Sequence, residues 1–379
     1  MITLLTLLAA CSQQDKNPVD TGEASRPEET GETGPLEESA EPEETGNPEE
    51  TGEIEETGNP DDSGDTGDTG EVEPSLHCLI DTFSLEPKTL EIDDLEAEVS
   101  AATWNSDYGL VVGTDGGQIA FVDTDGKEVW DDSPGWSWNI KGLTIYNGIA
   151  FLADASDGEG FNFVTYDIEA GDVDLQTKDG EENYDDNMAK EIAEGLDESG
   201  LWPGVTKDNL ERDPDYKAQA LAIVVSSDEE KANFYTAAYS IDGYHQIAKL
   251  QTKVFDENGI PNIQEAEWDD QINPIDSFPE LEDEIYGRQI KGISILTDGS
   301  RAVLYGTEGL PSIYGTGEDA SDDAFEGSLV LIFDNDWNPI TSIELPEISN
   351  PGDIAVDDEC SAYISLDDDA TGSIVTYGL

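Results

Sequence analysis

One short phrase recurs five times along this chain, and it limits what the chain can fold into more than any other feature. It reads Ala101-Ala102-Thr103-Trp104, Gly142-Leu143-Thr144-Ile145, Ala220-Leu221-Ala222-Ile223, Gly292-Ile293-Ser294-Ile295 and Asp353-Ile354-Ala355-Val356. Each copy alternates small or polar residues with apolar ones and then meets a turn: Asn105-Ser106-Asp107, Asn147-Gly148, Ser227-Asp228-Glu229, Thr297-Asp298-Gly299 and Asp357-Asp358-Glu359. A second and a third run follow every turn, as "YGLVVGT" and "GQIAFVDTDG" follow the first. Period-two alternation punctuated by Gly, Asp and Asn marks short antiparallel strands joined by tight turns. One such unit cannot bury its own apolar surface, so successive units must stack.

Runs such as Leu110-Val111-Val112 and Ile119-Ala120-Phe121-Val122 are apolar on both faces, as expected of small sheets packed between neighbours. The fold class that follows is all-β, a β-propeller. A fourth run completes the first four repeats ("KEVW", "DVDLQT", "TKVF", "ITSIEL"), whereas the last repeat runs to Leu379 without one. The missing strand is expected from the N-terminal side, in "HCLIDTFSL" (His77 to Leu85), swung round to close the ring. The repeats are 41, 78, 72 and 61 residues apart. Five blades with insertions near 179–216, 257–287 and 309–327 is the favoured count. Seven degenerate blades is the alternative, because the two longest spacings leave room for two blades each. Asn187 to Leu196 suits a short helix inside the first insertion. The propeller domain is read as residues 76–379.

The stretch "VVGTDGGQIAFVDTDGKEVW" (111–130) resembles the repeat of PQQ-like propellers, with its Gly-Asp-Gly-type turn, aliphatic strand, Asp-x-x-Gly-Lys turn and closing Trp. Other repeats look more like the looser ones of surface-layer and NHL-type propellers. These resemblances imply a disc-shaped binding or scaffold domain. The PQQ-like blade also resembles the propeller lipoprotein of outer-membrane protein assembly, which implies a scaffold role as an alternative.

The N-terminal run ends abruptly at a cysteine. Ile2 to Ala10 is too short to span a bilayer, for which a helix needs about 20 apolar residues. Small residues at Ala9 and Ala10 suit a signal-peptide cleavage site. Leu8-Ala9-Ala10-Cys11 resembles the lipobox of bacterial lipoproteins. That implies a signal peptide over 1–11, lipidation of Cys11, and an outer-membrane, lipid-anchored domain facing the periplasm or the cell surface. Residues 12–75 lack Phe, Trp and Tyr and repeat Glu-Glu-Thr-Gly. Such a tract cannot offset the entropy of ordering, so it is expected to be a disordered acidic tether.

Charge narrows the partners. The tether holds 22 of the 89 acidic residues and, in Lys16 and Arg26, two of the 16 basic ones, leaving the remainder near −53. Nucleic acid is disfavoured, since binding it requires cations that displace counterions. The expected partners are the membrane, through the lipid anchor, and an envelope protein or glycan, met by a monomer. In an exported, oxidising setting Cys78 and Cys360 suggest a disulfide joining the two ends of the domain; two unpaired thiols are the alternative.

Chemistry is harder to locate. His77 and His245 are the two histidines, and no clustered Cys/His set for zinc or framed nucleophile turn is present. Enzyme activity is uncertain, and a non-enzymatic binding module is favoured over an exported hydrolase or lyase. Calcium is possible at Asp123-Thr124-Asp125-Gly126 with Glu128 and at Asp334-Asn335-Asp336, spacings that ordinary turns also produce. No other cofactor is expected. Lys141, Lys217, Arg288 and Lys291 fall at or just before the innermost strand of three repeats, and Trp136 and Trp138 approach the same rim. They make a candidate ligand site for an anionic or sugar-like group. The competing expectation is that each base pairs with a nearby acid and the tryptophans fill space between blades.

Overall fold

The computed structural model describes residues 76–92, 95, 97–123, 128–132, 139–154, 162–174, 187–201, 203, 219–227, 230–241, 243–309, 325–367 and 372–378. These all lie in the unit Gly70–Leu379. The expected signal peptide, the acidic tract 12–75, Trp136, Trp138, Lys217 and most of the 179–216 and 309–327 insertions lie outside the described residues.

Among the described residues, twenty strands form five four-stranded antiparallel sheets. Blade one comprises β2 (Val99–Asn105), β3 (Gly109–Thr114), β4 (Ile119–Val122) and β5 (Glu128–Asp132). Blade two comprises β6 (Ile140–Tyr146), β7 (Ile149–Asp154), β8 (Asn162–Asp167) and β9 (Asp172–Asp174). Blade three has β10 (Gln219–Val225), β11 (Ala232–Ile241), β12 (Tyr244–Thr252) and β13 (Glu267–Ile272). Blade four has β14 (Arg288–Ile295), β15 (Arg301–Gly309), β16 (Ser328–Phe333) and β17 (Pro339–Leu345). Blade five joins β18 (Pro351–Val356), β19 (Ala362–Leu366) and β20 (Ser373–Tyr377) to β1 (Lys88–Glu91) from the other end of the domain. The five innermost strands, β2, β6, β10, β14 and β18, contact one another in a closed ring. The protein is therefore a five-bladed β-propeller.

In blades three, four and five burial falls from the middle of the blade outward. β16 and β20 are buried at every position, whereas the outermost β17, β13 and β1 are exposed or half-buried along most of their length. A middle strand meets a neighbouring blade on both faces, so it carries a continuous apolar run instead of alternation. The repeated phrase places its small residues where innermost strands cross closely. A Cβ on Gly142 would lie 2.5 Å from the Ala220 carbonyl carbon, and one on Gly292 would lie 2.6 Å from the Ile354 amide nitrogen.

The closing strand comes from a different segment than the sequence suggested. "HCLIDTFSL" does not supply it: Leu76–Phe83 is a helix, α1, and β1 (Lys88–Glu91) pairs with β20 instead. The apolar positions Leu76, Leu79, Ile80 and Phe83 follow helical spacing. Leu79 and Phe83 are buried against the blade-four and blade-five core, with the Phe83 ring 5.0 Å from that of Tyr377. Blade three differs too. "TKVF" turns out of the sheet after Thr252, where the Asp256 carboxylate accepts from the Asn258 and Ile260 amides. The outer strand β13 comes from within the 257–287 insertion. Over it lies α2 (Asn187–Glu198), the helix expected in the first insertion, with Ile192, Ala193 and Leu196 buried and Gly195 against the Trp268 indole.

Candidate functional site

The ring mouth is built from a repeated irregularity. In every blade the register between the innermost strand and its partner shifts near the strand's first residues: at Val99/Ala101, Ile140/Gly142, Gln219/Ala222, Arg288/Ile290 with Ile290/Gly292, and Pro351/Ile354. A bulge bends the strand and re-aims the side chain it leaves unpaired. Ser100, Lys141, Lys291 and Asp353 all sit in these shifts.

Lys141 joins three blades. Its ammonium lies 3.0 Å from Asp115 Oδ1, after β3, and donates to Asp367 Oδ1 and Oδ2 at 3.0 and 3.1 Å, after β19. Burial alone would lower the Lys141 pKa, but the two carboxylates outweigh it and hold it above its ordinary value. Burial raises Asp367 despite the opposing pull of Lys141. Glu98, Asp115 and Asp367 offer oxygens within 4.8 Å of one another, a set of hard ligands of the type a divalent cation takes. Lys141 already sets its charge against two of them.

Of the other polar groups near the mouth, Asp353 and His245 form hydrogen bonds between blades, whereas Arg288 acts within blade four. Asp353 is fully buried; its Oδ2 accepts from the Ala102 amide of blade one at 3.2 Å and its Oδ1 from the Ile354 amide at 2.8 Å. Burial lifts its pKa well above the usual carboxylate range. His245, on β12, uses Nδ1 to accept the Ile290 amide of β14 at 2.8 Å. Burial, with Lys291 adding to it, pushes its pKa down to about 3, so it is neutral and serves as an acceptor. Arg288 donates to the Gly327 carbonyl at 3.1 Å and lies 4.4 Å over the Phe325 ring. Lys291 is buried, its stem lying across Gly306 of β15, and its charge acts on both Asp367 and His245.

Among the sequence-derived ligand residues, the structure thus brings Lys141 and Lys291 to one neighbourhood around Asp367 and places Arg288 at a blade-four loop. Lys217, Trp136 and Trp138 lie outside the described residues. At Asp334-Asn335-Asp336 the Asp334 carboxylate accepts from the Asp336 amide, the Asn338 amide and the Asn338 side chain, each at 2.8 Å. That is turn chemistry, with the carboxylate replacing a backbone acceptor. Thr124 to Lys127 lie outside the described residues.

A second feature lies at the opposite end of β2 from its bulge. A cavity of about 430 Å³ is lined by Trp104, Tyr108, Phe121 and Tyr363, with Gly109, Leu110, Val122, Asp107 and Asp123. The Trp104 and Tyr363 rings stack at 5.9 Å and 7°, and Tyr108 and Phe121 lie 4.9 Å apart at 35°. The Tyr363 hydroxyl donates to Asp357 at 3.0 Å, which fixes that ring. Gly109 adopts φ +77°, a conformation strained for other residues, and a Cβ there would touch the six-membered ring of the indole at 4.0 Å. These residues escaped the sequence reading because Tyr363 belongs to the last blade and meets Trp104 only when the ring closes. Two aromatic residues flanking the turn of one hairpin, Trp104 and Tyr108, were the available signal.

No protein-family model and no curated protein matches the sequence. Among solved structures, the chain is similar to BamB from Moraxella catarrhalis, at 13% identity over 74% of this chain with a TM-score of 0.28, and it spans 58% of that chain. It is similar to the β-propeller domain of Myceliophteria thermophila Cps50 (Swd1), at 10% identity over 78% of this chain and 100% of that one, TM-score 0.36. A Trichoderma reesei enzyme of Carbohydrate-Active Enzymes Family AA12 matches at 9% identity over 76% of this chain and 95% of that one, TM-score 0.38. The blade count rests on the strand pairing of this chain itself.

Proposed function

We propose that this chain is a non-enzymatic binding module of the cell envelope, held to the outer membrane by a lipid on Cys11 and spaced from it by the acidic tract 12–75. The observation that carries the reading is a division of roles in the propeller. At the mouth, Lys141, His245 and Asp353 are engaged in holding blades together, and Arg288 in holding a loop of its own blade. The open concavity instead presents ring faces, which bind by contact. Envelope proteins or glycans are the partners such a face would meet. A Cys78–Cys360 disulfide would secure the ring's closure. Its support is the contact between α1, which carries Cys78, and the β18–β19 turn, where the Thr82 hydroxyl donates to the Cys360 carbonyl at 2.8 Å.

Two measurements test this reading. Mass spectrometry of the protein from membranes is expected to find a thioether-linked diacylglycerol on Cys11. Capture on immobilised protein is expected to enrich an envelope component, less so with Trp104→Ala. An unmodified Cys11 on a retained leader would remove the anchor, and capture indifferent to Trp104 would remove the pocket from the function.

A further inference from the structure

The ligand class of the aromatic pocket follows from its charges. The charged residues among those that line it, Asp107 and Asp123, are both acidic. More negative charge arrives from blade two. A Cβ on Gly148 would lie 3.4 Å from the Tyr108 hydroxyl, so that hydroxyl reaches the β6–β7 turn. The Ile168 amide donates to the Gly148 carbonyl at 3.1 Å, bringing the β8–β9 turn, with Asp167 and Glu169, to the same place. Burial raises the Tyr108 phenol pKa, and Glu169, Asp107 and Asp167 raise it further, as expected of a phenol in a field of carboxylates.

The pocket is also poor in hydrogen-bond donors. Trp104 Nε1 is buried and the Tyr363 hydroxyl is committed to Asp357, which leaves the Tyr108 hydroxyl as the side-chain donor among the described lining residues. A sugar needs donors and acceptors around a stacking face, whereas a cation needs ring faces and negative charge. Aromatic faces attract cations electrostatically, more so where water is partly excluded, and acidic walls of low polarisability focus that attraction.

We infer that this pocket binds a small organic cation, with an alkylated ammonium head seated between the Trp104–Tyr363 and Tyr108–Phe121 ring pairs and neutralised by Asp107 and Asp123. The inference rests on the binding-module reading and names the ligand class of its site. The volume, about 430 Å³, falls in the range of small-molecule sites.

Choline is the probe, titrated into the full chain by calorimetry, with 3,3-dimethylbutanol as its uncharged isostere and maltose as the sugar control. Choline should bind about tenfold or more tightly than the isostere, because only the charge differs. The double variant Asp107→Asn/Asp123→Asn, which preserves shape, should weaken choline by a similar factor and leave the isostere unchanged. Tyr108→Ala should abolish selectivity for charge. Equal binding of choline and isostere, preference for maltose, or choline affinity indifferent to the carboxylate variants would overturn the inference. If ligand selectivity fails while Trp104→Ala still lowers envelope capture, the ligand class falls and the binding-module reading stands.

Discussion

At the residue scale, His245 shows how burial turns a titratable group into a fixed hydrogen-bond acceptor. Its pKa lies near 3 in the folded protein, against about 6.5 in an unfolded chain. A base whose folded value is depressed contributes stability that is complete above the unfolded value and is lost as pH falls toward the folded one. Below about pH 6.5 this amounts to roughly 1.4 kcal/mol per pH unit. His245→Asn keeps an acceptor near the Ile290 amide but cannot protonate. Denaturant melts of both proteins between pH 7.5 and 5 should show the wild type losing about 2 kcal/mol relative to the variant by pH 5. Parallel curves would refute the assignment. Comparing the two proteins cancels the opposite-signed contributions of Asp353 and Asp367, whose raised values favour the fold as pH falls. The close crossing of β6 and β10 gives a second residue-level prediction. Gly142→Ala forces a methyl against the Ala220 and Leu221 backbone, and overpacking of this kind costs about 1–3 kcal/mol, readable as a lower denaturation midpoint at unchanged slope.

At the element scale, the fifth blade is the vulnerable one, because its outer strand comes from the opposite end of the domain. Lys88 to Glu91 align with Thr376 to Ser373, so the pairing must close almost the whole domain as a loop before it yields any contact. α1 assists by seating Leu79 and Phe83 in the same core and by the Thr82 bond to the Cys360 carbonyl. If the proposed Cys78–Cys360 disulfide forms, reduction should cost about 2–5 kcal/mol. Melts with and without reductant will measure it, and Cys360→Ser should erase the difference. A wild type unaffected by reductant would exclude a stabilising bridge. The outer strand of blade three illustrates a different lesson: β13 and α2 come from two insertions and support one another through Trp268 and Gly195. Insertions here complete a blade as well as decorate it.

At the scale of the whole molecule, charge dominates. A formal charge of −73 on 379 residues opposes compaction, and salt screens it, the Debye length falling from about 30 Å at 0.01 M to about 3 Å at 1 M. Many of the acids have local duties that pull the other way. Asp167, Asp256, Asp298, Asp334 and Asp357 each accept backbone amides within their own turns, and Asp115 and Asp367 hold Lys141. Long-range repulsion is screened more readily than these short contacts. The melting temperature should therefore rise as sodium chloride is raised from about 0.05 to 0.5 M. A flat or falling response would mean that local pairing, with its own salt sensitivity, outweighs the global term.

How far the fold was legible follows from the range of the interactions. Alternation, turn residues and small residues at fixed places are local, and they announced small antiparallel sheets at the right positions for β2, β6, β10, β14 and β18 before any contact was known. Helical spacing at Leu76, Leu79, Ile80 and Phe83 was equally local, yet the need for a closing strand obscured it, and β1 proved to be the next segment along. Five blades rather than seven was decided in space, because an insertion that yields only a strand or a helix looks in sequence much like a weak blade. The site was less legible still. The bulges that turn Lys141 and Asp353 inward, the acids that meet Lys141 from two other blades, and the stacking of Tyr363 on Trp104 exist only after the ring has brought its last blade against its first. Backbone periodicity is written residue by residue along the chain, whereas the pairing of distant side chains is a property of closure.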